Sequence, residues 1–232
     1  MEKIIISPPI SNLVKIKGTS RIVGSYTLNR RPGLWRNLTT LRKTSRGWYN
    51  RVGLRNPGID KFNKSGIVSI AGLEEYAFEE MLYALSGNPN VEGIEFNVSC
   101  PNALVSQVND NILTMARSMF GVVIIKVPHL LNRLEILKLV DNVNCILHIS
   151  NTKPTSRGAL SGSSLVDTNL RSISYIKKER PDIEVIGGGG IYDIQTLKQY
   201  AAVGADYFSL STVLFNPYKT YKIIKSFYEE SN

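Results

Sequence analysis

Short apolar runs alternate with longer amphipathic stretches along most of the chain. Runs rich in β-branched residues are typical of buried strands, whereas apolar residues at helical spacing are typical of helices that pack one face on a core. The pattern predicts eight strands, at residues 3–7, 21–28, 66–72, 93–99, 122–128, 145–151, 183–189 and 205–211. It predicts helices at residues 73–87, 109–119, 130–142, 165–179, 193–202 and 217–230. Asp193 follows a glycine run and begins the fifth of these helices, so we expect it to act as the N-cap.

Strands that alternate with helices pair in parallel, because each crossover helix returns the chain in the same direction. Eight such units in 232 residues predict a single-domain α/β fold, a (β/α)8 TIM barrel near the lower end of its usual size. An open doubly wound sheet is the alternative, but the glycine run comes late, at residues 187–190, whereas that fold places its glycines early. Residues 29–65 contain no clear element, and a loop of that length usually has a function.

Basic residues are concentrated in one window of the chain. Residues 30–64 contain ten lysines and arginines and one acid, which leaves the rest of the chain close to neutral. Such a window can attract an anionic small molecule or nucleic acid, or it can form a solvated loop. Two cysteines do not make a disulfide framework, and no stretch is apolar enough to span a bilayer. We therefore expect a cytoplasmic protein without membrane association.

Polar residues stand at the carboxyl ends of the predicted strands, where barrels place their catalytic groups. The fourth strand ends at Asn97, Cys100 and Asn102. The fifth carries Lys126 within an apolar run, where an ammonium group needs a partner or a cavity. The two histidines, His129 and His148, are isolated in sequence, so no metal site is predicted.

The last two strand ends predict a phosphate-binding cradle. Glycines at 187–190 let backbone N–H groups approach an anion closely, and the next strand ends in Ser211 and Thr212. A glycine-rich turn without any ligand is the alternative.

Four motifs, in the same order along the chain, resemble the FMN-dependent dihydroorotate dehydrogenases. "EFNVSCPN" is similar to "ELNLSCPN" of that family, and "GWYNRVGLRNPGID" is similar to "GMLNAIGLQNPG". "RGALSG" and "VIGGGGI" resemble "GGLSG" and "IIGTGGI". The resemblance runs from about Ser25 to Phe215. It implies a barrel that holds FMN at its top and oxidises dihydroorotate to orotate in pyrimidine biosynthesis, in the soluble class that has cysteine as its base.

The resemblance also implies roles for individual residues. Cys100 matches the catalytic base that takes a proton from the dihydropyrimidine ring while a hydride leaves for the flavin. Lys126 matches the lysine whose charge stabilises the reduced flavin. Substrate contacts are implied for Asn50, Val52, Gly53, Leu54, Asn97, Asn102, Asn151 and Thr152. Cofactor contacts are implied for Gly24, Ser25, Asn97, Lys126, Ser150, Gly162, Gly189, Gly190, Ser211 and Thr212.

The sequence departs from the family in three places. Gly24 stands where the family has a lysine that touches flavin and the orotate carboxylate, so Arg51 is a candidate to supply that charge. Pro8 belongs to a segment that replaces a Ser-Gly pair whose backbone contacts the flavin, and proline has no N–H to donate. The connection after Thr152 lacks an insertion that covers the site and helps build the dimer in soluble members. The chain is therefore similar to a shortened relative.

Two other functions stay open at this point. A flavin enzyme that acts on a pyrimidine within RNA, like the dihydrouridine synthases, fits the basic window, although the cysteine of that family lies in a differently placed loop. A non-catalytic barrel that binds a protein partner fits the departures at Gly24 and Pro8. The expected partner is a small pyrimidine substrate, a homodimer is possible, and nucleic acid is not expected. The electron acceptor stays open among fumarate, a nicotinamide-using partner subunit and a quinone.

Overall fold

The computed structural model describes residues 1–33, 40–45, 47–51, 53–74, 76–98, 108–127, 144–150 and 152–230. In chain order, the strands within these ranges are β1 (Ile4–Ile6), β2 (Ser20–Tyr26), β3 (Arg42–Thr44), β4 (Gly47–Asn50), β5 (Gly66–Ile70), β6 (Val91–Asn97), β7 (Val123–Lys126), β8 (Ile146–Ile149), β9 (Lys153–Thr155), β10 (Gly158–Ser161), β11 (Val185–Gly188) and β12 (Tyr207–Leu210).

Eight parallel strands close into a barrel in the order β1, β2, β5, β6, β7, β8, β11 and β12. The first and last strands pair, with Ile4 opposite Phe208 and Ile6 opposite Leu210, so the sheet has no open edge. All eight predicted strands are present. Most are shorter than the apolar runs suggest, and β6 is shifted two residues towards the N-terminus. The predicted (β/α)8 barrel is confirmed, and the closed sheet excludes the open doubly wound alternative.

Five α-helices lie within the described ranges: α1 (Ala77–Leu85), α2 (Asp110–Met119), α3 (Val166–Glu179), α4 (Ile194–Ala202) and α5 (Pro217–Glu230). These match five of the predicted helices, and the sixth, at 130–142, lies outside the described residues. The Asp193 carboxylate accepts a hydrogen bond from the Thr196 backbone N–H at 2.8 Å, which confirms the predicted N-cap. No helix in the described ranges is both long enough and apolar enough to cross a membrane.

The barrel interior is apolar towards the amino ends of its strands, here called the lower part, and polar towards their carboxyl ends, here called the upper part. Its lower part is an isoleucine layer contributed by five strands, consisting of Ile5, Ile22, Ile67, Ile124 and Ile186. Side chains two residues further along a strand point to the same face. The inward positions that follow are therefore polar or small, and they include Ser7, Ser69, Lys126, Gly188 and, on β12, Ser209. This upper layer is where the candidate site lies.

A second sheet corrects the prediction that residues 29–65 lack clear structure. Strands β3, β4, β10 and β9 form a four-stranded antiparallel sheet in that order. The sequence signal was weak because β3 has only three residues and all of them are exposed. Trp48 on β4 stacks on Phe215 after β12, with ring centroids 4.8 Å apart, and thereby packs the sheet against the barrel.

Asn56 organises the segment between β2 and the second sheet. Its side chain is 5% exposed and donates to Thr27 Oγ1 at 2.8 Å and to the Leu54 carbonyl at 2.7 Å. Its oxygen accepts from the backbone N–H groups of Thr27 and Gly58 at 3.2 and 2.9 Å. A single amide therefore satisfies four polar groups that would otherwise need other partners.

We expect Asn56→Ala to destabilise the protein by about 2–4 kcal/mol, because it leaves two or more buried backbone groups without partners. Urea unfolding measures the difference in the free energy of unfolding. Asn29→Ala is the matched control, because Asn29 is exposed and its amide makes a 3.5 Å contact with Glu74. The control should change stability by less than about 0.5 kcal/mol. Equal losses in the two variants would contradict the organising role of Asn56.

Candidate active site

The carboxyl ends of the barrel strands surround a cavity of about 100 Å³, here called the strand-end cavity. Its lining residues are Ser7, Pro8, Lys126, Ser150, Thr152, Ser161, Gly162, Leu165, Gly189, Gly190, Ile191, Ser209, Ser211 and Thr212. Seven of the ten residues predicted to contact FMN are among them, together with Thr152 from the predicted substrate set. Residues from distant parts of the chain thus meet at one place.

The glycine run forms one wall of the strand-end cavity. Gly189 and Gly190 have φ values of +82° and +88°, a conformation that favours glycine. A Cβ on Gly190 would lie 2.7 Å from the Gly162 carbonyl oxygen and from Val166 Cγ2. The Tyr200 hydroxyl donates to the carbonyls of Gly188 and Gly189 at 2.6 and 2.8 Å, which fixes the run from outside. The chain therefore approaches itself too closely here for any other side chain.

A buried carboxylate and imidazole lie beneath the cavity. Glu95 Oε2 is 2.5 Å from His148 Nδ1, and both side chains are essentially inaccessible to solvent. On the other side of the ring, His148 Nε2 is 2.5 Å from the Ser150 hydroxyl, which lines the cavity. A continuous hydrogen-bonded chain therefore runs from Glu95 to the cavity wall.

The pKa values determine the charges in this chain. Burial raises the pKa of Glu95, but the charge of Lys126, the interaction with His148 and a hydrogen bond from Ser69 outweigh burial and lower the pKa to about 2. Burial lowers the pKa of His148, and Glu95 offsets this only in part. The carboxylate is therefore ionised and the ring neutral. Nδ1 donates its proton to Glu95, and Nε2 accepts from Ser150.

Asn97 is joined to two strands on the other side of β6. Its amide donates to Ser25 Oγ at 2.8 Å, and Ser25 Oγ is 2.8 Å from Ser69 Oγ. Asn97 is only 9% exposed, so its amide is held inside the protein. Two predicted site residues, Asn97 and Ser25, are therefore in direct contact.

Gly24 cannot accommodate the lysine that the family has at this position. Its φ is +121°, and a Cβ would lie 2.5 Å from the Ser69 carbonyl oxygen. The Asn12 side chain accepts from the Gly24 N–H at 2.8 Å and donates to its carbonyl at 3.0 Å. The backbone conformation of β2 at Gly24 thus accounts for the absence of a lysine at this position.

The Pro8 segment also has its own arrangement. Pro8 lines the strand-end cavity, and its carbonyl accepts a hydrogen bond from the Ser211 hydroxyl at 2.6 Å. Beside it, the hydroxyls of Ser7 and Ser209 are 2.8 Å apart. Sequence reasoning did not select Ser7 or Ser209, although each stands two residues after an inward apolar residue. That period-two spacing was the signal that could have found them.

Other predicted site residues do not line the strand-end cavity or lie outside the described residues. Asn50 is on β4, where its amide donates to the Ala159 carbonyl at 3.4 Å, and neither Gly53 nor Leu54 lines the strand-end cavity. Arg51, the candidate for the missing positive charge, donates instead to the carbonyls of Ser156 and Arg157. The predicted Val52, Cys100, Asn102 and Asn151 lie outside the described residues. In the described ranges no three His, Cys, Asp or Glu side chains converge as metal ligands.

Comparison with known proteins connects this geometry to a group of enzymes. No protein-family model matches the chain. The chain is 28% identical over 221 aligned positions to the catalytic subunit of dihydroorotate dehydrogenase B (NAD(+)) from Oceanobacillus iheyensis, which covers 78% of this chain and 72% of the relative. The chain is thus similar to dihydroorotate dehydrogenases. The same subunit from Staphylococcus carnosus is 28% identical over 218 positions (78% and 71% covered), and that from Thermotoga maritima is 27% identical over 196 positions (72% and 72%).

These similarities confirm the resemblance that the four motifs indicate. They span most of this chain and more than two thirds of each of the three relatives. The barrel and the strand-end cavity therefore belong to a chain whose relatives are named for oxidising dihydroorotate.

Neutral His148 makes the protein sensitive to acid. Because its folded pKa lies below the ordinary value of 6.5, the unfolded chain takes up this proton first as the pH falls. Above about pH 6.5, protonation of His148 does not reduce the free energy of unfolding. Below that pH the free energy of unfolding declines, by up to about 1.4 kcal/mol per pH unit from this one group. Glu95 further lowers the free energy of unfolding below its ordinary pKa of 4.5, as the pH falls towards its folded pKa of about 2.

Urea unfolding between pH 8 and pH 5 measures this dependence. We expect His148→Gln to be less stable at pH 8 and to lose most of the decline below pH 6.5. His129→Gln is the matched control because the chain has only two histidines. A decline that persists in His148→Gln and disappears in His129→Gln would show that the wrong ring was assigned.

Proposed function

We propose that this protein is an FMN-dependent oxidoreductase that oxidises dihydroorotate to orotate. The observation that carries the proposal is the convergence at the strand-end cavity, where seven residues that the family resemblance implies as FMN contacts line one space. The relatives named dihydroorotate dehydrogenase support the same reaction. The electron acceptor is left open, because the proposed half-reaction is the same for each candidate.

The strand-end cavity fits the phosphate end of FMN. Its volume of about 100 Å³ corresponds to roughly three water molecules, which suits a phosphate group. Ligand pockets for larger molecules start at roughly 300 Å³, so the flavin ring requires the cavity to open further. The Thr212 hydroxyl and the backbone of the glycine run would hold the phosphate, and the Ser211 hydroxyl would join them by turning from the Pro8 carbonyl. When bound, FMN supplies the hydride acceptor.

Lys126 is proposed to provide the positive charge of the site. It follows Ile124 of the apolar layer on the inner face of β7, and its side chain lines the strand-end cavity. Its charge already lowers the pKa of Glu95, and Lys126 also lines the cavity. An ammonium held in this way would stabilise negative charge that develops on the reduced ring.

The pyrimidine is proposed to be held by amides and deprotonated by a thiolate. Asn97, fixed by Ser25, would offer the paired donor and acceptor that match the N–H and C=O edge of the ring. Asn102 and Asn151 are proposed to do the same, and Cys100 to take the ring proton. Asn50, Gly53 and Leu54 remain proposed substrate contacts. The homodimer also remains a proposal.

Flavin binding tests the cavity assignment directly. We expect the purified protein to bind FMN, measured by quenching of flavin fluorescence. Gly190→Ala should weaken binding at least about tenfold, because a Cβ there meets the Gly162 carbonyl at 2.7 Å. Gly121→Ala is the matched control, since a Cβ on Gly121 meets nothing within 4 Å. If Gly190→Ala does not fold, Ser211→Ala tests the same wall, and unchanged FMN affinity in either folded variant would contradict the assignment.

The proposed base can be tested with the two cysteines. Cys100→Ala should retain FMN but slow anaerobic flavin reduction by dihydroorotate by roughly 10²–10⁴-fold, the usual contribution of general-base catalysis. Cys145 provides the control because it is a buried thiol whose pKa burial raises to about 11, so it stays protonated. Cys145→Ala should reduce flavin at nearly the normal rate. An undiminished rate in Cys100→Ala would remove Cys100 from the mechanism.

A further inference from the structure

A second and larger cavity lies beside the antiparallel sheet, here called the arginine cavity. Its volume is about 640 Å³, within the roughly 300–1,000 Å³ of small-molecule sites. Four of its lining residues are arginines, and the full lining is Arg30, Arg31, Pro32, Arg51, Gly53, Arg55, Thr155, Ser156 and Gly158. None of the residues that line the strand-end cavity contributes to it.

The four arginines of this cavity have no carboxylate partner in the described part of the chain. Other basic residues do form ion pairs, for example Lys177 with Asp206 at 2.7 Å. Four like charges around one space repel each other, and an anion in that space would remove the repulsion. Negative charge from a ligand would therefore be favoured in this space.

Arg55 gives an independent indication of a missing ligand. Its Nη1 is buried and makes no hydrogen bond to the described residues. A buried donor of a charged group without an acceptor is costly, so such groups normally have a partner. The Arg55 guanidinium is also packed closely against the backbone, since a Cβ on Gly33 would lie 3.0 Å from its Nε. This donor is therefore held in place before any ligand binds.

The scaffold around the cavity is fixed by hydrogen bonds. Arg51 donates through Nε and Nη2 to the carbonyls of Arg157 and Ser156 at 3.0 and 3.2 Å. Arg31 donates to the Gly53 carbonyl at 3.3 Å, and its backbone pairs with that of Asn56 at 3.0 and 3.1 Å. The segments that carry Arg31 and Arg55 are therefore joined by the same Asn56 that organises the loop. A preformed site loses less entropy on binding.

Strand β10 separates the two cavities. Gly158, at its start, lines the arginine cavity, whereas Ser161, at its end, lines the strand-end cavity. Three residue steps along a strand span about 10 Å. The arginine cavity is thus a neighbour of the proposed active site and is distinct from it.

We propose that the arginine cavity binds a small molecule that carries a diphosphate group, such as a nucleoside diphosphate. Guanidinium groups are planar forks that bind phosphate oxygens in pairs. Two phosphate groups carry roughly three to four negative charges, which matches four arginines better than the single charge of a carboxylate does. The volume leaves room for further groups beside the diphosphate. The proposal goes beyond the oxidation of dihydroorotate and does not depend on it.

Isothermal titration of the FMN-saturated protein with inorganic diphosphate tests the proposal. Saturable binding should weaken about tenfold in Arg55→Gln and in Arg30→Gln, because each removes charge-assisted hydrogen bonds. Arg30 is exposed, so Arg30→Gln keeps the test valid if Arg55→Gln does not fold. Arg171→Gln is the matched control, since Arg171 is an exposed arginine on α3 and lines neither cavity. Its affinity should change less than about twofold.

Four outcomes would overturn the proposal. The first is the absence of saturable diphosphate binding. The second is an equal loss of diphosphate affinity in Arg171→Gln and Arg55→Gln. The third is loss of diphosphate binding in Gly190→Ala with no loss in Arg55→Gln. The third would place the anion in the strand-end cavity. The fourth is binding of a single-stranded oligouridylate that the arginine variants weaken, without binding of diphosphate, which would assign the cavity to nucleic acid. Failure of FMN to bind would contradict the proposed function alone, and diphosphate binding is then measured without it.

Discussion

The structure depends on how the barrel accommodates ionised groups above a layer of isoleucines. Glu95 and Lys126 enter the interior only two residues beyond apolar positions, and a buried unpaired charge costs several kcal/mol. Their mutual attraction and the neutral ring of His148 make this burial possible. Because the ring also contacts Ser150, the same arrangement that permits burial sets the direction of a hydroxyl in the cavity wall. Stability and site geometry thus share one set of contacts.

Glycine contributes the second constraint. The Gly190 segment and Gly162 meet so closely that neither wall could tolerate a side chain, and Tyr200 holds the run from behind. At Gly24, by contrast, the tight backbone excludes the lysine found in the family. Lys126 lies within the barrel, and four arginines surround a separate cavity beyond β10.

The sequence predicted the barrel well because period-two and helical spacing report directly which face of each element is buried. It also located the glycine cradle and Lys126, since both are unusual at strand ends. It did not reveal the antiparallel sheet, because β3 and β9 are three residues long and mostly exposed, and short polar strands depend on pairing rather than on pattern. Nor did it pair Glu95 with His148, which lie 53 residues apart and meet only when β6, β7 and β8 are in register.

The arginines illustrate the same limit in another way. Sequence showed that residues 30–64 are basic, but not that Arg30, Arg31, Arg51 and Arg55 share one cavity with the β9–β10 turn. Their convergence depends on Asn56 and on the pairing of β4 with β10, both of which are long-range. A charge window therefore becomes a candidate binding site only through tertiary structure.

The most direct test of the account is the visible absorption spectrum of the FMN-saturated protein before and after anaerobic addition of dihydroorotate. The account predicts that the oxidised flavin band disappears and that orotate forms in equal amount. A bound flavin that stays oxidised would contradict the proposed substrate, and a protein that binds no FMN would contradict the assignment of the strand-end cavity.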